Sequence, residues 1–175
     1  MIIHSEYSSY FENYGLLRKS GGAGVSIITG TLKNQGGNVE VDSGTLQLSS
    51  YAQNGGTLTI ALGGTNSGQS GMLKVDTTAT LNGPLNVKFI NGFIPSVGQS
   101  FKILSYAILN GNFTATNIPS GISLSYSNSD IYLHVTSYVS RTLVNSTRSG
   151  TNFIFSFQTE NGGNYTVEYN DILGT

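Results

Sequence analysis

One short pattern returns along the first third of the chain at nearly constant spacing, and it limits the fold more than any other feature. "FENYG" (11–15), "LKNQG" (32–36) and "AQNGG" (52–56) each carry an Asn two places before a Gly. The steps are 34 − 13 = 21 residues from Asn13 to Asn34 and 54 − 34 = 20 from Asn34 to Asn54. A period near twenty that carries strand-like sequence describes one small unit per repeat, and no such unit can bury its apolar face alone. Stacking the units closes the core.

Alignment on the Asn places Phe11, Leu32 and Ala52 two residues before it. Glu12, Lys33 and Gln53 then flank the apolar column on one side, and Tyr10, Thr31 and Tyr51 on the other. Strand side chains alternate between faces, so the apolar and Asn columns are expected inside and the flanking columns in solvent. An inward Asn at a corner hydrogen-bonds the backbone of its own repeat and the amide of the Asn one repeat away. The Gly supplies the positive φ that a corner needs. The motif thus predicts an asparagine ladder.

Further strand phrases follow the corner: "GNVEV" (37–41), "GTLQL" (44–48), "GTLTI" (56–60), "GMLKV" (71–75) and "GPLNV" (83–87). Each opens on Gly and then alternates apolar and polar residues with period two. They place Phe11, Leu32, Val39, Val41, Leu46, Leu48, Leu58, Ile60, Leu73, Val75, Leu85 and Val87 in the core. With the Asn columns aligned, Val39 falls against Thr59 rather than Leu58, so one repeat must carry an extra or missing residue at a turn or bulge. "GGTNSGQSG" (63–71) interrupts the period and is expected to project as a loop.

From residue 11 to about 90 these phrases resemble the right-handed parallel β-helices of bacterial secreted proteins, a group that includes pectate-lyase-like enzymes, autotransporter passenger domains and polysaccharide-binding modules. "GQSFKILSYAILNGNF" (98–113) is similar to segments near the C-terminal ends of such solenoids, where strands lengthen and aromatic residues cap the core. The resemblance implies an all-β fold, a right-handed parallel β-helix with a C-terminal antiparallel cap. Residues 122–136 read as a hairpin of that cap, with "SNSD" as its turn. Residues 1–136 are therefore expected to form the helix with its capping strands, and 137–150 a linker. Residues 151–175 are expected to form a hairpin around "TENGGN", which either opens a following β-sandwich or packs back onto the solenoid.

Composition narrows the function. Lys plus Arg is 8 and Asp plus Glu is 9, with 10% of residues charged, which gives no electrostatic footprint for nucleic acid or an anionic membrane surface. No apolar run approaches the length of a membrane span, so no membrane insertion is expected. Cysteine is absent, which excludes disulfides and thiolate metal sites. The 23 Gly residues, with abundant Ser, Thr and Asn, suit short strands joined by tight turns and fit a secreted or cell-surface bacterial protein whose export signal and other domains lie outside this sequence.

Few residues suggest chemistry. The carboxylates are scattered, so no catalytic residues and no cofactor are assigned, and the pattern does not indicate structural calcium. Glu40 and Asp42 share a face and are expected to meet Lys19 as a surface ion stack. His4 and His134 are far apart, and neither has a nucleophile motif near it. "GGAG" (21–24) lacks the Lys-Ser/Thr ending of a phosphate loop and reads as a turn. The one site-like feature is aromatic: Tyr10 and Tyr51 fall in the same column two repeats apart, which sets their rings about 10 Å apart on a flat face. With Glu12, Lys33 and Gln53 beside them, they suit an extended plant-type polysaccharide. The expected function is a non-catalytic carbohydrate-binding module. A structural stalk or adhesin segment is the alternative, and a polysaccharide lyase, which needs clustered acids, is the enzyme alternative.

Overall fold

The computed structural model describes residues 9–137 with their side chains and the backbone of residues 143–149 and 152–157. The chain divides into two compact units, residues 1–140 and 141–175. All regular structure among the described residues is β.

The first unit contains five repeats in chain order: β1 (Tyr10–Asn13) with β2 (Leu16–Lys19); β3 (Val25–Asn34) with β4 (Asn38–Val41); β5 (Gly44–Gln53) with β6 (Thr57–Leu62); β7 (Gly71–Val75) and β8 (Thr78–Leu81) with β9 (Leu85–Phe89); and β10 (Ser100–Ser105) and β11 (Ile108–Gly111) with β12 (Thr116–Asn117). The strands of each repeat are divided between two sheets, sheet A with β1, β3, β5, β7, β8, β10 and β11 and sheet B with β2, β4, β6, β9 and β12, and every strand of these repeats pairs in parallel with its counterpart in the next repeat. Sheet A then ends in an antiparallel hairpin, β13 (Ile122–Tyr126) and β14 (Asp130–Val135), with β14 on β10. It has nine strands and is mixed, whereas the five strands of sheet B are all parallel. The hairpin and its "SNSD" turn fall where the sequence places them.

The period-two phrases build the interior. Leu32, Val39, Val41, Leu46, Leu48, Leu58, Ile60, Leu73, Val75, Leu85 and Val87 are all buried and form one cluster with Ile103, Leu104, Ile131 and Leu133. Phe11 departs from expectation: it pairs with Leu32, yet it is 50% exposed because β1 is the edge of sheet A. Phe101 and Tyr106 are buried at the other end of the repeats, where the aromatic cap was expected.

The register corrects the third copy of the motif. Asn34 pairs with Gln53, Leu32 with Tyr51 and Lys33 with Ala52, so the expected Asn34/Asn54 alignment is off by one residue. The shift arises at a bulge between Ile28 and Thr31, where β3 carries one residue more than β5. On β5 the phase changes at Ser49 and Ser50: Leu48 points in, and so do Tyr51 and Gln53. These serines serve the bend, since Gly30 N donates to Ser49 Oγ (3.1 Å), Thr77 Oγ1 donates to the Ser49 carbonyl (2.7 Å) and the Ser50 and Thr77 hydroxyls lie 2.7 Å apart. Sheet B keeps the register that the core requires, with Val39 beside Leu58 and not Thr59.

The 63–70 segment does not project freely. Gly44 N donates to the Gly68 carbonyl (2.9 Å), and a Cβ at Gly68 would stand 2.5 Å from Ala23, so the loop lies on the corner of the preceding repeats.

In the second unit, β15 (Leu143–Ser149) pairs antiparallel with β16 (Asn152–Phe157). The stretch read as a linker therefore contains a strand, and "TENGGN" lies outside the described residues. The expected second strand after "TENGGN" lies outside the described residues.

Candidate functional site

The corner that generates the sequence motif is interior. Asn13 Nδ2 donates to Asn34 Oδ1 (2.9 Å) and to the Asn38 carbonyl (3.1 Å); Asn34 Nδ2 donates to the Thr57 carbonyl (3.0 Å); Gln53 Nε2 donates to the carbonyls of Gly56 (2.6 Å) and Pro84 (2.9 Å). These donors help satisfy the carbonyls of the corner, and at Pro84 the amide adds to a backbone donor, Leu58 N at 3.0 Å. All three side chains are buried, whereas Asn54 is exposed. The two glycines of the corner have different jobs. Gly36 and Gly55 hold φ of +86°, while a Cβ at Gly56 would stand 2.3 Å from Asn34 Nδ2, so the second glycine makes room for the amide of the repeat before.

This placement removes half of the proposed sugar platform. Tyr51 is 1% exposed, a core residue beneath Leu32, and Gln53 is fully buried in the ladder. Burial raises the Tyr51 phenol far above its ordinary pKa, the Asn34 side chain opposes this only in part, and the hydroxyl makes no well-formed hydrogen bond among the described residues. Tyr10, Glu12 and Lys33 do come together outside: Tyr10 is 58% exposed, and the Lys33 ammonium stands 3.6 Å from its ring centroid. Glu12 accepts from the Tyr14 hydroxyl (3.3 Å), and the negative charge of Glu12 raises the Tyr14 phenol. The two-ring column is therefore a single ring with an ammonium already on it.

Glu40 and Asp42 share the outer face of sheet B, as expected, but Lys19 is not their partner. Lys19 donates to the carbonyls of Gly21 (2.8 Å) and Gly22 (3.0 Å). Arg18 from β2 and Lys88 from β9 clamp the pair from either side. Arg18 Nε lies 2.9 Å from Glu40 and 2.7 Å from Asp42; Lys88 Nζ lies 2.7 Å from Glu40 and 3.0 Å from Asp42. Asn38 Nδ2 (3.3 Å) bonds the other Glu40 oxygen, and Thr59 (2.9 Å) fixes Asn38 in turn. Burial alone would raise the Asp42 carboxyl, but hydrogen bonds from Lys88 and Arg18 outweigh it and hold the group below the usual carboxylate range. Two cations on two anions make a neutral structural clasp. Among the described residues no three His, Cys, Asp or Glu side chains cluster as a metal site would require.

Two features escaped the sequence reading. His134 on β14 lies between two hydroxyls, Ser100 Oγ at 2.8 Å from Nδ1 and Ser125 Oγ at 2.7 Å from Nε2, with Tyr132 stacked on its ring at 6.0 Å. These residues are 34 and 9 positions from His134 in sequence and meet only through the antiparallel cap. The second feature is a cleft of about 270 Å³ between the 64–70 loop and the outer face of sheet A, with Thr45, Met72 and Ser100 on the sheet side. An interruption of the repeat over a sheet face was its only sequence signal.

No protein-family model matches the chain, and no curated protein matches it.

Proposed function

We propose that the first unit is a right-handed parallel β-helix acting as a structural segment, a stalk or adhesin passenger piece, of a bacterial protein that is secreted or held at the cell surface. The observation that supports this reading is that the residues which recur in the sequence face inward: Asn13, Asn34 and Gln53 stack as a buried ladder. The handedness follows the strong general preference of parallel crossovers. On the outside, the Arg18, Glu40, Asp42 and Lys88 charges neutralise one another, leaving that face without the exposed acids a lyase would use. Its partners in this reading are the other domains of a longer parent chain. Neither nucleic acid nor membrane insertion enters it.

A second reading, a non-catalytic carbohydrate-binding module for an extended polysaccharide, keeps one observation in its favour: Tyr10 is exposed beside Glu12 and Lys33. Affinity electrophoresis through gels of soluble plant polysaccharides separates the two. The structural reading expects unretarded migration. Retardation that Tyr10→Ala abolishes would overturn it in favour of the second.

A further inference from the structure

We infer that the cleft beneath the 64–70 loop is a binding site for a short neutral saccharide of one or two rings. The inference goes beyond the structural reading, since a spacer remains a spacer with or without such a site. Three observations carry it.

The cleft is prebuilt. Asn66 N donates to Gln69 Oε1 (3.0 Å), Gln69 N to the Asn66 carbonyl (3.1 Å), and Ser70 Oγ to the Gly64 carbonyl (2.8 Å), while Gly68 is pinned to Gly44. A loop fixed this way loses little entropy when a ligand enters.

The lining also matches sugar chemistry. Thr65, Asn66 and Ser67 on the loop and Thr45 on β5 present hydroxyls and an amide to the cleft. Such groups donate and accept, as sugar hydroxyls do, and Met72 supplies apolar surface for the C–H face of a ring. Ser100 is oriented on the sheet side by His134, itself bonded to Ser125.

Size and charge set the class. A volume of about 270 Å³ lies just under the ~300 Å³ floor of drug-sized pockets, which suits one or two rings and not a polymer groove. Among the described residues the one charged residue of the lining, Lys102, has Asp130 at 3.4 Å, so these residues present no free anion receptor.

Titration of the ¹⁵N-labelled full chain with maltose, cellobiose and lactose, alongside glucuronate, tests the site by NMR. The expected result is saturable amide shifts at Thr45, Thr65–Ser67 and Ser100 with at least one disaccharide, insensitive to salt. Thr45→Trp fills the cleft and should abolish them, whereas Tyr10→Ala should leave them intact. Should Thr45→Trp fail to fold, the exposed-loop double variant Thr65→Ala with Asn66→Ala should weaken binding about tenfold or more, as expected from two lost hydrogen bonds. No shifts with any disaccharide, shifts centred on Tyr10, or binding undiminished in these variants would overturn the site. Salt-sensitive binding of glucuronate alone would overturn the neutral class.

Discussion

The buried corner ladder and the outer charged clasp both tie one repeat to the next, but they tolerate register differently. The ladder uses short amides that reach only the adjacent repeat, Asn13 to Asn34 at 2.9 Å, and lie in a dry interior. A one-residue slip would turn each amide to the other face and leave its carbonyl unpaired. The clasp uses long side chains, and Lys88 pairs in register with Ala61 yet reaches past it to Glu40 and Asp42 a further repeat away. Ala61 is outward in phase but fully buried beneath this bridge. Short inward groups therefore enforce register, while long outward groups accommodate it.

The largest loss is expected at Tyr51, in the interior beside the ladder. As a core residue, Tyr51→Ala should cost about 3–5 kcal/mol in chemical unfolding, the usual penalty for truncating a buried aromatic ring. Tyr51→Phe should be neutral or slightly stabilising, because it deletes a buried hydroxyl that has no hydrogen-bond partner among the described residues. An unchanged midpoint for Tyr51→Ala would return that ring to the surface.

A smaller loss is expected at the second corner glycine. Gly56→Ala places a methyl 2.3 Å from the Asn34 amide and should cost about 1–3 kcal/mol by overpacking. Gly15→Ala, with no atom within 4 Å of its new Cβ, should cost far less. Equal losses at both would mean that the ladder amide does not need the space.

The clasp should appear mainly in the pH dependence. A folded-state pKa below the ordinary value means that Asp42 contributes stability above about pH 3.9, which is lost as pH falls through its depressed folded value. Burial alone would lower the Lys88 pKa, but Glu40 and Asp42 raise it overall, so its contribution holds below about pH 10.4 and is lost as pH rises through the raised folded value. Asp42→Asn should therefore flatten the acid limb of a stability–pH profile measured by urea unfolding. An acid limb identical to wild type would place the clasp outside the folding equilibrium.

Most of the interior was legible in the sequence because alternation in phrases such as "GTLTI" and "GMLKV" is uninterrupted, so Leu58, Ile60, Leu73 and Val75 fall inside without knowledge of neighbours. What alternation cannot carry is a change of phase. Ser49 and Ser50 both stay off the core at the bend of sheet A, and everything after them on β5 reverses face. The motif itself hid the reversal, since "QNGG" offers two amides in a row and the match to Asn favours the wrong one. Carrying Leu46 and Leu48 forward in unbroken alternation would have put polar Ser50 inside, which was the available warning. The Arg18 clasp was half legible: Glu40 and Asp42 were on one face, but a partner reaching across Ala61 from Lys88 leaves no local signature. The Ser100, Ser125 and His134 grouping had none, because the cap hairpin alone brings it together.

Gln53, and not the Asn54 beside it, continues the ladder. Urea unfolding of Gln53→Leu and Asn54→Leu tests it most directly. Gln53→Leu takes the side-chain donor from the Gly56 carbonyl and one of two donors from Pro84, which keeps Leu58 N at 3.0 Å, and should lower stability by about 1–3 kcal/mol, while Asn54→Leu, on the exposed side of the corner, should stay within about 0.5 kcal/mol of wild type. A loss at Asn54 with none at Gln53 would restore the alignment on Asn, return Tyr51 to the surface and contradict the register described above.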